Sequence, residues 1–189
     1  MAQKRKDWNG LISGFKASDL VFLDESGCNT DMTRRYAYSL GGSRAVDSAP
    51  LSKPKNTTIL SSIQLDGTLR YTTFSGGTTV ERFKRYLETD LLPHLNGNSV
   101  LIMDNMKSHH AKAVRNLLDS SGVRYIYLPP YSPDLNPIEK LWSKVKAFLR
   151  KFKARTLDAL PNAIQSAFQT VSPSDCSGWF HSCGDSPYF

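Results

Sequence analysis

The sequence predicts an α/β fold, a mixed sheet with helices on both faces. Three observations point to it. An Asp66-Gly67 turn joins two runs rich in β-branched and aromatic residues, Thr57–Leu65 and Leu69–Phe74, as in a hairpin. Downstream, strand-like and helix-like segments alternate, the pattern of parallel strands joined by crossover helices. Two runs, Leu20-Val21-Phe22-Leu23 and Ser99–Met103, are apolar without alternation, as strands covered on both faces are.

In order, the first strand is Asp19 to Asp24. Residues 26–56 carry Gly27, Gly41, Gly42, Pro50 and Pro54 and read as a long insertion, with a short strand expected at Arg35–Leu40. Loops this long inside a compact domain are usually functional. The hairpin follows and ends at Gly76-Gly77. Thr78 or Thr79 caps a helix to about Leu92, with Val80, Phe83, Leu87 and Leu91 on one face. Pro93 and Gly97 end it. After the Ser99–Met103 strand, Ser108 caps a helix that Gly122 breaks near Ser120. Val123–Leu128 is a further strand. A proline-rich turn then opens a helix from Pro137 to about Arg155, followed by a helix near Thr156–Val171 and an aromatic end with no clear pattern. The chain divides into a basic segment 1–17, a domain 18–155 that contains the insertion, and a helical extension 156–189.

The 189 residues, 40% hydrophobic and 22% charged, suit one folded domain that needs no disulfide staples. The formal charge of +7 and pI near 9.4 point to a polyanionic partner, nucleic acid before membrane. The N-terminus is basic without an apolar signal core, and no apolar run approaches the ~20 residues of a membrane span. A cytoplasmic protein is expected. Cys28, Cys176 and Cys183 form no CxxC pair, and the spacing around His181 fits no common zinc pattern, so they read as reduced thiols.

Asp24 and Asp104 each end an apolar strand, and Glu139 opens a basic helix thirty-four residues beyond Asp104. In open sheets, sites form outside the carboxyl ends of parallel strands. If the two strands are neighbours, the aspartates lie side by side and Glu139 can join them. Hard oxygen ligands, few in number, suit Mg²⁺. Each residue also has a plain reading. Asp24 and Asp104-Asn105 suit turns, and Glu139 suits the third position of a capping box begun by Asn136 and Pro137. Strand alternation sends Glu25 to the opposite side, so it is not counted as a ligand. Beyond Glu139, the positions Ser143, Lys146, Arg150 and Lys153 share one side of the helix, flanking an apolar stripe, and could lead a phosphate backbone to Glu139. His109 is expected at a helix start, either in contact with a phosphate or as a satisfied helix-end histidine. Arg34, Arg35, Arg44, Lys53 and Lys55 make the insertion basic.

Leu23-Asp24-Glu25-Ser26-Gly27, Met103-Asp104-Asn105 with His109, and the long run Leu128-Pro129-Pro130-Tyr131-Ser132-Pro133-Asp134-Leu135-Asn136-Pro137-Ile138-Glu139 resemble the DDE catalytic domain of mariner-superfamily transposases, with the bacterial insertion-sequence branch closest. Ala154-Arg155-Thr156 and the ending with Cys176, Phe180 and Cys183 share features with that branch. The resemblance implies a ribonuclease H-like fold, two Mg²⁺ (or Mn²⁺) ions, and Asp24, Asp104 and Glu139 as catalytic metal ligands. It implies DNA as the partner, at transposon ends and at the target. The expected chemistry is strand cleavage at those ends, then transfer of the freed 3′-hydroxyl to target DNA. His109, Lys146, Arg150, Lys153, Arg34 and Arg35 are the candidate DNA contacts. The 26–56 insertion corresponds to a clamp on a partner subunit, so a homodimer on DNA is expected. An action at the bacterial nucleoid is also implied. Family members usually carry an N-terminal helix-turn-helix region, for which there is no room before residue 20. The chain is therefore expected to be an isolated domain, a truncated copy, or the downstream frame of a two-frame element that works with an upstream helix-turn-helix polypeptide. Two alternatives stand beside the transposase reading: a ribonuclease H-like nuclease without strand transfer, and an inactive DNA-binding remnant.

Overall fold

The apolar and β-branched runs pair into one five-stranded sheet in the computed structural model, which describes residues 2–34, 36–48, 50–51 and 54–184. The strands are β1 (Leu20–Asn29), β2 (Asn56–Gln64), β3 (Leu69–Ser75), β4 (Val100–Met103) and β5 (Arg124–Tyr127), in spatial order β3-β2-β1-β4-β5. The β1-β2-β3 side is antiparallel, and β4 and β5 run parallel to β1. Strand alternation splits the core in two. Val21, Leu23, Leu101 and Met103 face α2 (Val80–Tyr86) and α3 (Lys112–Ser121). Leu20, Phe22, Val100 and Ile102 face the other layer. That layer contains α1 (Ala2–Ile12), α4 (Ile138–Phe152), α5 (Ala159–Gln169) and α6 (Pro173–Cys183).

Several elements differ from the sequence expectation. The first strand runs five residues past Asp24, because β2 pairs with it through Asn29↔Asn56 and satisfies its backbone there. The described part of the expected strand at 35–40 is not a strand; Leu40–Gly42 forms a short 3₁₀ turn, and Arg35 lies outside the described residues. Thr79 caps α2, accepting from the Arg82 amide at 3.3 Å. Ser108 does not cap α3, which starts at Lys112 after a run of turns that carry His109 inward. The long helix stops at Phe152, and Lys153 takes a left-handed conformation, φ 57°. Two helices fall outside the expected pattern. In α1, Trp8 and Ile12 are buried in the core. In α6, Ser172 and Asp175 form a capping box around Pro173. Among the described residues, no helix is long and apolar enough to cross a membrane. Cys28, Cys176 and Cys183 are buried and form no disulfide among the described residues, and burial pushes the Cys28 and Cys176 thiols up to about 11.

The hairpin turn also holds α6. Asp66 accepts from the Thr68 amide at 2.8 Å and Gly67 takes φ 91°. A Cβ at Gly67 would meet Pro173 Cα at 3.0 Å. Gly67→Ala combines a left-handed backbone with that clash, and a loss of about 1–3 kcal/mol in urea unfolding is expected.

Candidate active site

Parallel pairing of β1 with β4 ends at Leu23↔Met103, so Asp24 and Asp104 come next at the carboxyl ends of neighbouring strands. The first turn of α4 brings Glu139 into the same cleft. The three carboxylates line one cleft of about 430 Å³, together with Asn105, Met106, Asn136 and residues 128–133.

Asp24 is buried, and the Trp142 indole N–H donates to its Oδ2 at 3.1 Å. Trp142 stands one turn beyond Glu139, so this bond fixes α4 against β1. Burial pushes the Asp24 carboxyl up to about 7. The Trp142 and Glu25 N–H groups oppose that shift, while the charges of Asp104 and Glu139 add to it. Among the described residues, Asp24 takes part in no ion pair.

Asp104 Oδ1 accepts from the Met106 amide at 3.0 Å and lies 2.8 Å from His109 Nδ1. Burial would raise its pKa, but these partners outweigh burial and hold it below the usual carboxylate range. Asn105 donates its side-chain N–H to the Leu128 carbonyl, tying the end of β4 to the cleft wall.

His109 is fully buried and stacks on Phe83, ring centroids 4.2 Å apart. It therefore does not offer its ring to a phosphate on the surface, which corrects the expectation of a direct contact. Its Nε2 lies 3.2 Å from Glu25 Oε2. Burial pulls the imidazole pKa down, yet Asp104 and Glu25 hold it up near 9. Glu25 lies on the opposite face of the sheet, as alternation requires, but His109 connects it to Asp104 around the strand end. Glu25 carries no role in the sequence pattern; its i, i+1 spacing to Asp24 gives no hint of this link.

Glu139 is exposed and forms no capping box. Residues 133–135 close a 3₁₀ turn that buries Asn136 and leaves its Oδ1 without a partner, and Pro137 becomes the helix N-cap. Glu139 is thus the second helical residue, with its carboxylate left to the cleft. Among the described residues, no three His, Cys, Asp or Glu side chains already stand close enough to hold one ion. The three acids share the cleft without enclosing a common point. At the rim, Tyr131 takes φ 55° and is 86% exposed. Arg5 of α1 holds the same loop, donating to Ser132 Oγ at 3.3 Å and Asp134 Oδ1 at 3.1 Å.

The basic residues separate. Lys146 and Arg150 line a polar groove of about 300 Å³ with Gly27, Asn29, Asp31 and Thr33. Lys153 is ion-paired with Asp47 of the insertion, and Lys144 pairs with Asp175 at 2.6 Å. Arg155 donates to the carbonyls of Thr30 and Met32. Arg34 is exposed.

A family model described as "DDE superfamily endonuclease" matches residues 19–161. The Tc1 transposase of Caenorhabditis elegans is 29% identical over 97 residues, 49% of this chain and 36% of that protein. A crystal structure of a pre-cleavage Mos1 transpososome superposes with a TM-score of 0.80 at 20% identity, covering 98% of this chain and 63% of that one. The Mos1 transposase catalytic domain with Raltegravir and Mg matches with a TM-score of 0.71 at 18% identity, covering 98% and 95%. The fold is the ribonuclease H-like fold of the Mos1 catalytic domain. The chain spans about a third of the length of Tc1 transposase and under two thirds of the chain in the Mos1 transpososome.

Proposed function

Because the chain belongs to the DDE superfamily of endonucleases, we propose that it is the catalytic domain of a transposase that cuts DNA at transposon ends and joins the freed 3′-hydroxyl to target DNA. The observation that carries this reading is the meeting of Asp24, Asp104 and Glu139, from three separate elements, in one cleft. The placement in the bacterial insertion-sequence branch, and with it action at the nucleoid in the cytoplasm, rests on the Leu128–Glu139 motif and the Cys176–Cys183 ending.

The donor set fits divalent cations. It is all oxygen, no thiolate or imidazole lines the cleft among the described residues, and it includes the buried Asp24 carboxylate, which forms no ion pair with them. Asp24, Asp104 and Glu139 would hold two Mg²⁺ or Mn²⁺ ions; Mos1 complexes with Mg and with Mn are known. Bound there, such ions stabilise the attacking and leaving oxygens of a phosphoryl displacement. The chain's own part is positional. Trp142 and the β1–α4 packing hold Asp24 and Glu139 in register. Met106 and His109 fix Asp104. Asn105 and Arg5 brace the cleft walls. The exposed Tyr131 ring at the rim suits stacking on an unpaired base.

Lys146 and Arg150 form the DNA track leading away from the cleft. Lys146→Ala with Arg150→Ala is expected to weaken DNA binding uniformly across sequences and to flatten the slope of log K against log salt by about 2. An unchanged slope removes this groove from the interface. The insertion presents Tyr36, Tyr38, Leu40, Val46 and Leu51, all at least 87% exposed. Apolar side chains left uncovered in this way suit contact with a second copy, so a DNA-bound homodimer is proposed. Recognition of the terminal repeats is assigned to an upstream helix-turn-helix segment or polypeptide.

The test is nicking of labelled transposon-end DNA with Mg²⁺ by the wild type and by Asp104→Asn. Loss of cleavage in the variant alone supports the reading, and equal activity sinks it. A pre-cut 3′-hydroxyl end then separates a transposase from a nuclease: joined products are expected, and their absence with cleavage intact favours the nuclease. Salt-sensitive binding without cleavage under any divalent ion identifies an inactive remnant.

A further inference from the structure

We propose that Glu25 and His109 are positioning residues for Asp104, forming a buried chain that runs from the α2–α3 face of the sheet to the cleft and sets which Asp104 oxygen is left for a cation. The inference rests on the reading of Asp104 as a metal ligand.

The geometry assigns each oxygen a separate task. Asp104 Oδ1 accepts from the Met106 amide and lies 2.8 Å from His109 Nδ1. Oδ2 takes no hydrogen bond from the described residues, and the side chain is 40% exposed at the cleft. One oxygen is therefore anchored and the other free. The anchor is itself immobile. The imidazole has no solvent exposure and lies flat against Phe83. Tyr127 holds the His109 backbone, donating its hydroxyl to the His109 carbonyl at 3.0 Å. Nε2 cannot swing away, because Glu25 Oε2 lies 3.2 Å from it. Glu25 acts through that single contact, since its Oε1 is buried without a partner. Stability alone gives a weak reason for this arrangement. Two buried ionisable groups, His109 stacked on Phe83 and Glu25 with only 10% of its side chain exposed, incur desolvation that an apolar pair would avoid, so a gain elsewhere is expected. Orientation of a ligating carboxylate is such a gain, and outer partners of this kind typically change metal affinity 10- to 100-fold.

The experiment is calorimetric titration of the whole chain with Mn²⁺ alone, without DNA, for the wild type, His109→Gln, Glu25→Gln, the double variant and Asp104→Asn. A folded His109→Gln protein is expected to bind about 10- to 100-fold more weakly. Glu25→Gln keeps the side-chain shape and is expected to bind severalfold more weakly. The double variant is expected to match His109→Gln, because the two residues act in series. Raising Mn²⁺ should restore strand cleavage to both single variants. If His109→Gln loses its cooperative melt, Glu25→Gln carries the test alone. Wild-type affinity in Glu25→Gln overturns the proposal, as do independent, additive losses in the double variant. Asp104→Asn separates the two levels. If it loses Mn²⁺ while Glu25→Gln and His109→Gln retain it, positioning is wrong and the metal reading stands. If Asp104→Asn also binds as the wild type does, the metal reading falls and takes the proposal with it.

Discussion

Asp24→Asn is expected to cut cleavage steeply and, at the same time, to make the metal-free protein more stable at pH 8. The cause lies in burial. The folded state holds the Asp24 carboxyl near pKa 7, against about 4 for an ordinary aspartate. A raised carboxyl contributes its stability when protonated. That contribution is complete below about pH 4 and is lost as pH rises through 7. A rise of this size corresponds to at most about 4 kcal/mol between the two limits. Asn has the shape of the protonated acid and can still accept the Trp142 N–H bond, so it removes the charge penalty. Chemical denaturation of the metal-free protein at pH 5 and pH 8 should show the wild type losing stability over this range and the variant losing much less. Cleavage should fall by about a thousandfold, the loss of several kcal/mol of transition-state stabilisation. Added Mn²⁺ should stabilise the wild type more at pH 8 than at pH 6, because cation and proton compete for Asp24, and should leave the Asp24→Asn variant unaffected. A variant no more stable than the wild type at pH 8 would show that Asp24 is not held as a strained, uncompensated acid.

Phe180→Ala is expected to cost about 3–5 kcal/mol, a fall in Tm of about 10 °C. Phe180 of α6 has no exposure and meets Phe22 edge-to-face, with centroids 5.3 Å apart at 89°. Phe22 lies two residues before Asp24 on the same face of β1. The C-terminal helix thus supports the strand that carries the first carboxylate, and the variant should lose Mn²⁺-induced stabilisation along with Tm. Thermal melts with and without Mn²⁺ check both. A change below about 1 kcal/mol would mean that α6 is not integral to this core.

Much of this arrangement could be read from the residue pattern. Unbroken apolar runs marked the two central strands, and their acidic ends located the cleft. The Asp66-Gly67 turn and the Thr79 cap were local signals with local outcomes. The misses have tertiary causes. The length of β1 past Asp24 is set by a partner, β2, that lies on the far side of the insertion. The capping box at Asn136 failed because the 3₁₀ turn before it buries that side chain. Packing turned His109 from a surface candidate into a buried link, and Glu25 acquired a role only when His109 reached it. Ser172-Pro173-Ser174-Asp175 is a complete start signal for α6, written in the sequence itself.

The central claim is that Asp24, Asp104 and Glu139, which line one cleft without yet enclosing an ion, close around divalent cations. Anomalous X-ray scattering from crystals soaked in Mn²⁺ tests it most directly. The account predicts Mn²⁺ peaks between these three carboxylates, abolished in Asp104→Asn. Peaks elsewhere on the molecule, with that cleft empty at saturating Mn²⁺, would contradict it.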